Sequence, residues 1–226
     1  MPSPPAMDYL YLHGFASSPR SRKAQYLQGQ FQALGLTLHV LDLNQDDFAG
    51  LTLSRQIQQC LDWMAGRQAV AVIGSSLGGL TAAWLAQHPS TQGRIQRLVL
   101  LAPAFQFLAQ WLPRLGAERL ADWRRSRLLS VYHYGFAMNL PLDYGFVTDA
   151  QTYDETGLTT AVPTLILHGQ RDEVIEIGAS RTYARDRPWV TLVPLDSDHA
   201  LGNVEGEIWR AIHRFLHLPG TMPHTV

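Results

Sequence analysis

The chain has little with which to cross-link itself. Its 226 residues include one cysteine, Cys60, which excludes an intramolecular disulfide framework and any cysteine-rich zinc site. It also lacks a dominant charge. Eighteen basic residues face nineteen acidic ones, a balance that argues against nucleic acid as the main partner. No apolar run approaches the ~20 residues that a membrane-spanning helix needs. The opening MPSPPAMD has neither a basic nor an apolar segment, so no secretory signal is read there and a cytoplasmic setting is expected. What is present suffices for one sizeable core. A chain of this length buries about 70% of its unfolded surface, and 46% of its residues are hydrophobic. A single domain over 1–226 is therefore expected. Aromatic residues are plentiful at 10%, and their placement matters below.

Six short runs are rich in Val, Ile, Leu or Tyr: 9–12, 38–41, 70–73, 98–101, 164–167 and 190–193. Their hydrophobicity is continuous and not alternating, which predicts strands buried on both faces, as in a parallel sheet. Amphipathic stretches lie between them. Ala24, Leu27, Phe31 and Leu34 share a helical stripe, as do Ile57, Cys60, Leu61 and Met64, and Ile208, Ala211, Ile212 and Phe215. Cys60 thus reads as inert core. Strands alternating with helices predict a doubly wound, mostly parallel sheet of about six strands in three layers. One stretch breaks the alternation. Between Pro103 and Thr160 no buried strand is evident, and the segment is too long for a plain connection. A helical cap insertion over 103–160 is expected.

The sharpest motif is Gly74-Ser75-Ser76-Leu77-Gly78, a Gly-x-Ser-x-Gly at a strand–helix junction. There a serine can sit on a tight turn with its hydroxyl exposed at the sheet edge. The helix behind it presents free N–H groups and a positive dipole end to a developing oxyanion. A serine hydroxyl needs a base. Asp172 follows the fifth apolar run and His199 the sixth, the order acid then histidine that such an elbow requires. Ser76 is therefore the expected nucleophile, His199 the base and Asp172 the acid that orients it. Asp196, Asp198 and Asp42 are rivals for the acid, the first two so close to His199 that they read as shaping its loop. Backbone N–H groups of Phe15 and Leu77 are the expected oxyanion donors. His13 reads as a buried residue supporting that loop.

These segments resemble the α/β-hydrolase superfamily and, more narrowly, the bacterial YqiA-like esterases. The resemblance rests on Tyr11-Leu12-His13-Gly14-Phe15 with Ser17-Ser18-Pro19 and Lys23-Ala24, on Gly74–Gly79, on Asp172-Glu173-Val174 and on Asp198-His199-Ala200, in that order. It implies a small esterase with Ser76, Asp172 and His199 as its triad. It does not cover the 103–160 stretch, and Ser197-Asp198 departs from the family's approach to the histidine.

The expected reaction is hydrolysis of a small, apolar carboxylic ester through an acyl-Ser76 intermediate, without cofactor or metal. Thioester or carbon–carbon bond hydrolysis on the same triad, and a non-catalytic binding protein of this fold, are the alternatives. His213 and His217 lie off the last helix's apolar stripe and read as a solvated face, not a metal pair. Ten of the 22 aromatic residues lie in 103–160. Some must pack the cap onto the body. Trp111, Tyr132, Tyr134 and Phe136 are candidates for an apolar pocket wall over Ser76.

Overall fold

The computed structural model describes residues 7–220. All six apolar runs form one sheet: β1 (Asp8–Leu12), β2 (Leu38–Leu41), β3 (Val70–Ser75), β4 (Ile95–Leu101), then Thr164–Gly169 and Val190–Leu195. Two further strands intervene within the cap, so these last two are β7 and β8. The sheet order is β2-β1-β3-β4-β7-β8, and every pairing is parallel.

Continuous hydrophobicity follows from cover on both faces. Side chains alternate across the pleat, so Leu10, Leu12, Val70, Val72, Leu98, Leu100 and Ile166 enter one core. Tyr9, Tyr11, Ala71, Ile73, Val99, Leu101, Leu165 and Leu167 enter the other. Helices α1 (Arg22–Ala33) and α8 (Glu205–Leu216) cover the second face through Leu27, Phe31, Ile208 and Ile212. Helices α2 (Leu53–Trp63), α3 (Leu77–Gln87) and α7 (Ile177–Ala184) cover the first. Cys60 is buried there, and burial pushes its thiol up to about 12. His213 departs from expectation. It is buried against Trp209 and hydrogen-bonded to the Pro219 carbonyl, because the chain after α8 folds back over that face.

The 103–160 segment contains α4 (Phe107–Leu115), α5 (Ala117–Ser126) and α6 (Gly145–Ala150), and also an antiparallel hairpin, β5 (Leu128–His133) with β6 (Met138–Asp143). The insertion is thus helical with a hairpin at its middle. Only alternate residues of the hairpin, such as Leu129, His133 and Leu142, are buried, and Pro141 sits where an edge strand tolerates the missing donor. The Trp123 indole N–H donates to the Leu142 carbonyl at 2.9 Å and ties α5 to the hairpin.

The two ends of the 103–160 segment meet through the Gln106 N–H, which donates to Glu155 Oε1 at 2.7 Å. Burial, reinforced by Asp154 and opposed by that N–H, pushes the Glu155 carboxyl up to about 7. A folded-state value above the unfolded one means that its favourable contribution is complete below pH ~4 and lost as pH rises through 7. Glu155→Gln keeps the acceptor without the charge. It is expected to raise Tm by about 2–4 °C at pH 8, a gain that shrinks towards pH 4 in thermal melts.

Candidate active site

The parallel register aligns the carboxyl ends of the central strands: Leu12 pairs with Gly74, Ser75 with Leu101, Leu101 with Leu167, and Gly169 with Leu195. Their loops open on one edge, where β1 and β3 lead the chain to opposite sides. Such a crevice is where open α/β sheets bind ligands.

Ser76 forms the turn between β3 and α3. Its φ of 53° and ψ of −119° lie in a region that L-residues avoid, at a cost of ~1–3 kcal/mol. The strain is held by the body: Ser76 N–H donates to the Leu101 carbonyl at 2.9 Å, and the Ala104 N–H donates to the Ser76 carbonyl at 3.0 Å. A tight elbow also needs room for the strand ends. A Cβ on Gly78 would overlap the Leu12 and His13 carbonyls, and one on Gly14 would lie 3.1 Å from Ser76 Cβ.

Ser76 Oγ lies 3.1 Å from His199 Nε2, and His199 Nδ1 lies 2.7 Å from Asp172 Oδ2. The structure thus brings the three residues expected from sequence into one hydrogen-bonded chain. Asp172 Oδ1 also accepts from the Val174 and Ile175 N–H groups at 2.9 and 2.8 Å. The rival acids are occupied elsewhere. Asp196 pairs with Arg171, Asp198 Oδ1 accepts from the Leu201 N–H, and Asp42 Oδ1 accepts from Asn44.

A fourth residue was not legible in the sequence as part of this chain. His168, fully buried at the end of β7, places Nε2 3.1 Å from Asp172 Oδ2 and 2.9 Å from the Ile175 carbonyl. Both partners accept, so Nε2 carries the proton and Nδ1 accepts from the Ser180 hydroxyl at 2.8 Å. The only signal for it was its place four residues before Asp172, just where the strand ends. Burial would raise the Asp172 carboxyl. Hydrogen bonds from His168, His199 and the Ile175 N–H, with the His199 charge, more than offset this and hold it well below the usual carboxylate range.

The loop after β1 crosses above Ser76. Neither the Phe15 nor the Leu77 N–H donates to a described protein acceptor. His13 is buried, with Nδ1 2.9 Å from the Gly14 carbonyl and Nε2 accepting from the Leu43 N–H at 3.0 Å, a supporting position. The Phe15 ring is gripped by Phe48, Phe107, Trp111 and Phe146, at centroid distances of 5.3–5.8 Å. Three of the ten aromatic residues of 103–160 therefore help fix this loop.

The four expected pocket residues separate. Tyr134 lines the cleft that holds Ser76 and His199, and its N–H donates to the Ala16 carbonyl at 2.8 Å. Trp111 packs among the rings around Phe15, Tyr132 lies outside against Tyr134, and Phe136 rests on His133. None of these three is on the cleft's wall: Trp111 on α4 is committed to packing, and Tyr132 and Phe136 are exposed on the hairpin. The cleft, about 390 Å³, is also more polar than expected: Arg22, Lys23, Glu205, Ser17, Ser21 and Ser75 line it. A separate, mostly apolar cavity of about 180 Å³ is lined by Leu77, Leu80, Phe107 and Phe146, with Gln106, Gln151 and Glu155 also on its wall. A larger cleft, about 700 Å³, lies between 153–159 and α7 and contains none of the three chain residues. Among the described residues, no cluster of His, Cys, Asp and Glu could hold a metal, and no helix is long and apolar enough to cross a membrane.

Comparison with solved structures places this architecture. The α/β-hydrolase domain-containing protein 10 from mouse superposes with a TM-score of 0.78 at 18% identity, over 93% of this chain and 89% of that one. Est1E from Butyrivibrio proteoclasticus, determined with ferulic acid bound, gives 0.78 at 20% identity, over 95% and 90%. A structure from the metagenome-derived lipolytic enzymes LipS and LipT gives 0.71 at 19% identity, over 94% of each chain. No curated protein matches in sequence. The fold is that of an α/β hydrolase. In sequence, residues 8–216 match the uncharacterised protein family UPF0227, and the chain belongs to that family.

Proposed function

We propose that the protein is a serine hydrolase that cleaves carboxylic esters through an acyl-Ser76 intermediate. The observation that carries this reading is the unbroken chain from Ser76 Oγ through His199 to Asp172, at 3.1 and 2.7 Å, on a strained elbow. Ser76 Oγ attacks the ester carbonyl while His199 Nε2 takes its proton. Asp172 stays ionised, fixes the imidazole tautomer with the proton on Nδ1 and stabilises the imidazolium. The oxyanion is received by the Phe15 and Leu77 N–H groups, each worth about 3–4 kcal/mol in the transition state. His199 then passes its proton to the leaving alcohol. Water attacks the acyl-enzyme with His199 again as base. The apolar cavity beside Leu77 suits a small apolar acyl group. That the lipolytic enzymes LipS and LipT share the fold supports the reaction class and leaves substrate choice to the walls of the site.

Turnover of p-nitrophenyl esters of increasing chain length, with Ser76→Ala as control, tests the reading. Activity on short acyl chains that disappears in the variant is expected. Wild-type turnover no better than the variant's would sink it, and a flat ester profile with strong acyl-CoA cleavage would favour a thioesterase on the same residues.

A further inference from the structure

The cleft before Ser76 carries more charge than ester cleavage requires. Of its two cations, Arg22 is already paired: Nε and Nη2 donate to Glu205 Oε1 and Oε2 at 2.9 and 3.1 Å. Lys23 is not. It sits half-buried in the first turn of α1, and Nζ donates to Ser75 Oγ at 3.1 Å, one residue from the nucleophile. Among the described residues no carboxylate forms an ion pair with it. Two of its three N–H donors are therefore uncommitted on the cleft wall.

The wall also fixes which arm of an ester meets this lysine. His199 protonates the leaving alcohol, so that arm must lie on the His199 side. His199, Ala200, Gly202 and Glu205 share their cleft with Lys23, whereas Leu77, next to the nucleophile, lines the separate apolar cavity, whose wall includes none of these residues. The acyl arm thus belongs with the apolar cavity and the alcohol arm with Lys23.

We propose that Lys23 is a specificity-determining residue that binds a carboxylate carried on the alcohol arm of the substrate. This rests on the serine-hydrolase reading. A monoanion fits better than a phosphate, because Glu205 shares the cleft and Asp172 and Asp198 act on Lys23 through space. One uncommitted cation with Ser17, Ser21 and Ser75 hydroxyls beside it matches one carboxylate. Burial lowers the Lys23 ammonium to about 8, with Asp172, Asp198 and Glu205 opposing the fall. The lysine is therefore mostly charged at pH 7 and becomes neutral as pH rises through 8.

The test compares 3- and 4-butyryloxybenzoate with the corresponding neutral butyryloxybenzamides, which share acyl group and ring. The wild-type enzyme is expected to favour a benzoate in kcat/KM. Lys23→Met should lower the benzoate-to-benzamide ratio about 10–100-fold, chiefly through KM, and Lys23→Arg should restore most of it. The ratio should also fall above pH 8. It cancels the catalytic contribution of His199 and Asp172, which act on both esters, and the Lys23→Met ratio over the same pH range accounts for the charges of Arg22, Glu205, Asp198 and Tyr11 near Lys23. A ratio unchanged by Lys23→Met, including one where both esters slow equally, would show a structural lysine and overturn the proposal while leaving the hydrolase intact. Wild-type turnover of neither ester above Ser76→Ala would overturn the hydrolase reading and the proposal together.

Discussion

Ser76→Ala is expected to lower kcat/KM for a short ester by about 10⁴–10⁶-fold, and adding His199→Ala should cost almost nothing more. Both follow from three groups acting as one unit. Without the hydroxyl, the base has no proton to take. Without the base, the hydroxyl is not deprotonated at neutral pH. What survives in every variant is the contribution of the Phe15 and Leu77 N–H groups and of binding, so single and double variants should converge on one residual rate. Ser76→Ala removes no backbone hydrogen bond and leaves the positive φ in place, so thermal melts should barely move. Additive losses in the double variant would show that the two residues act independently, contrary to the 3.1 Å contact between them.

Gly78→Ala is expected to damage stability and activity together. The added methyl would overlap the carbonyl oxygens of Leu12 and His13. Leu12 cannot withdraw, because β1 is paired through it to Leu41 on one side and Gly74 on the other. Helix α3 must move instead, and Ser76 is the residue that caps its N-terminus. Overpacking of this kind costs about 1–3 kcal/mol, or a Tm lower by about 2–10 °C for a chain of this size. A nucleophile displaced by an ångström loses about 100-fold in rate. Gly29→Ala provides the contrast. Gly29 lies within α1 with nothing near its missing Cβ, so alanine there should stabilise by about 0.5–1 kcal/mol through helix propensity. Urea melts and ester turnover of the two variants, measured together, check both effects.

The sheet was legible because strands covered on both faces leave an unbroken apolar run, as Val70–Ile73 and Leu98–Leu101 do. The positions of Ser76, Asp172 and His199 were legible because a strained elbow needs glycines, and because parallel strands place successive loops on one edge. The hairpin of β5 and β6 was not. Its buried residues alternate over only a few positions, Pro141 interrupts one strand, and its exposed rings resemble a pocket lining when read by composition. Trp111, Tyr132 and Phe136 were read in that way, although their rings pack or face outward. His168 and Lys23 were hidden for another reason. Each matters through one contact, to Asp172 Oδ2 and to Ser75 Oγ, that depends on where neighbouring loops converge. No periodicity records such a meeting.

Reaction with a fluorophosphonate followed by peptide mass spectrometry tests the central claim most directly, because the reagent needs an activated serine and no knowledge of the substrate. Stoichiometric phosphonylation of Ser76 in the wild-type protein is predicted, with labelling slowed at least 100-fold in a folded His199→Ala variant. A folded wild-type protein that remains unlabelled, or that takes the label on another residue, would contradict the account.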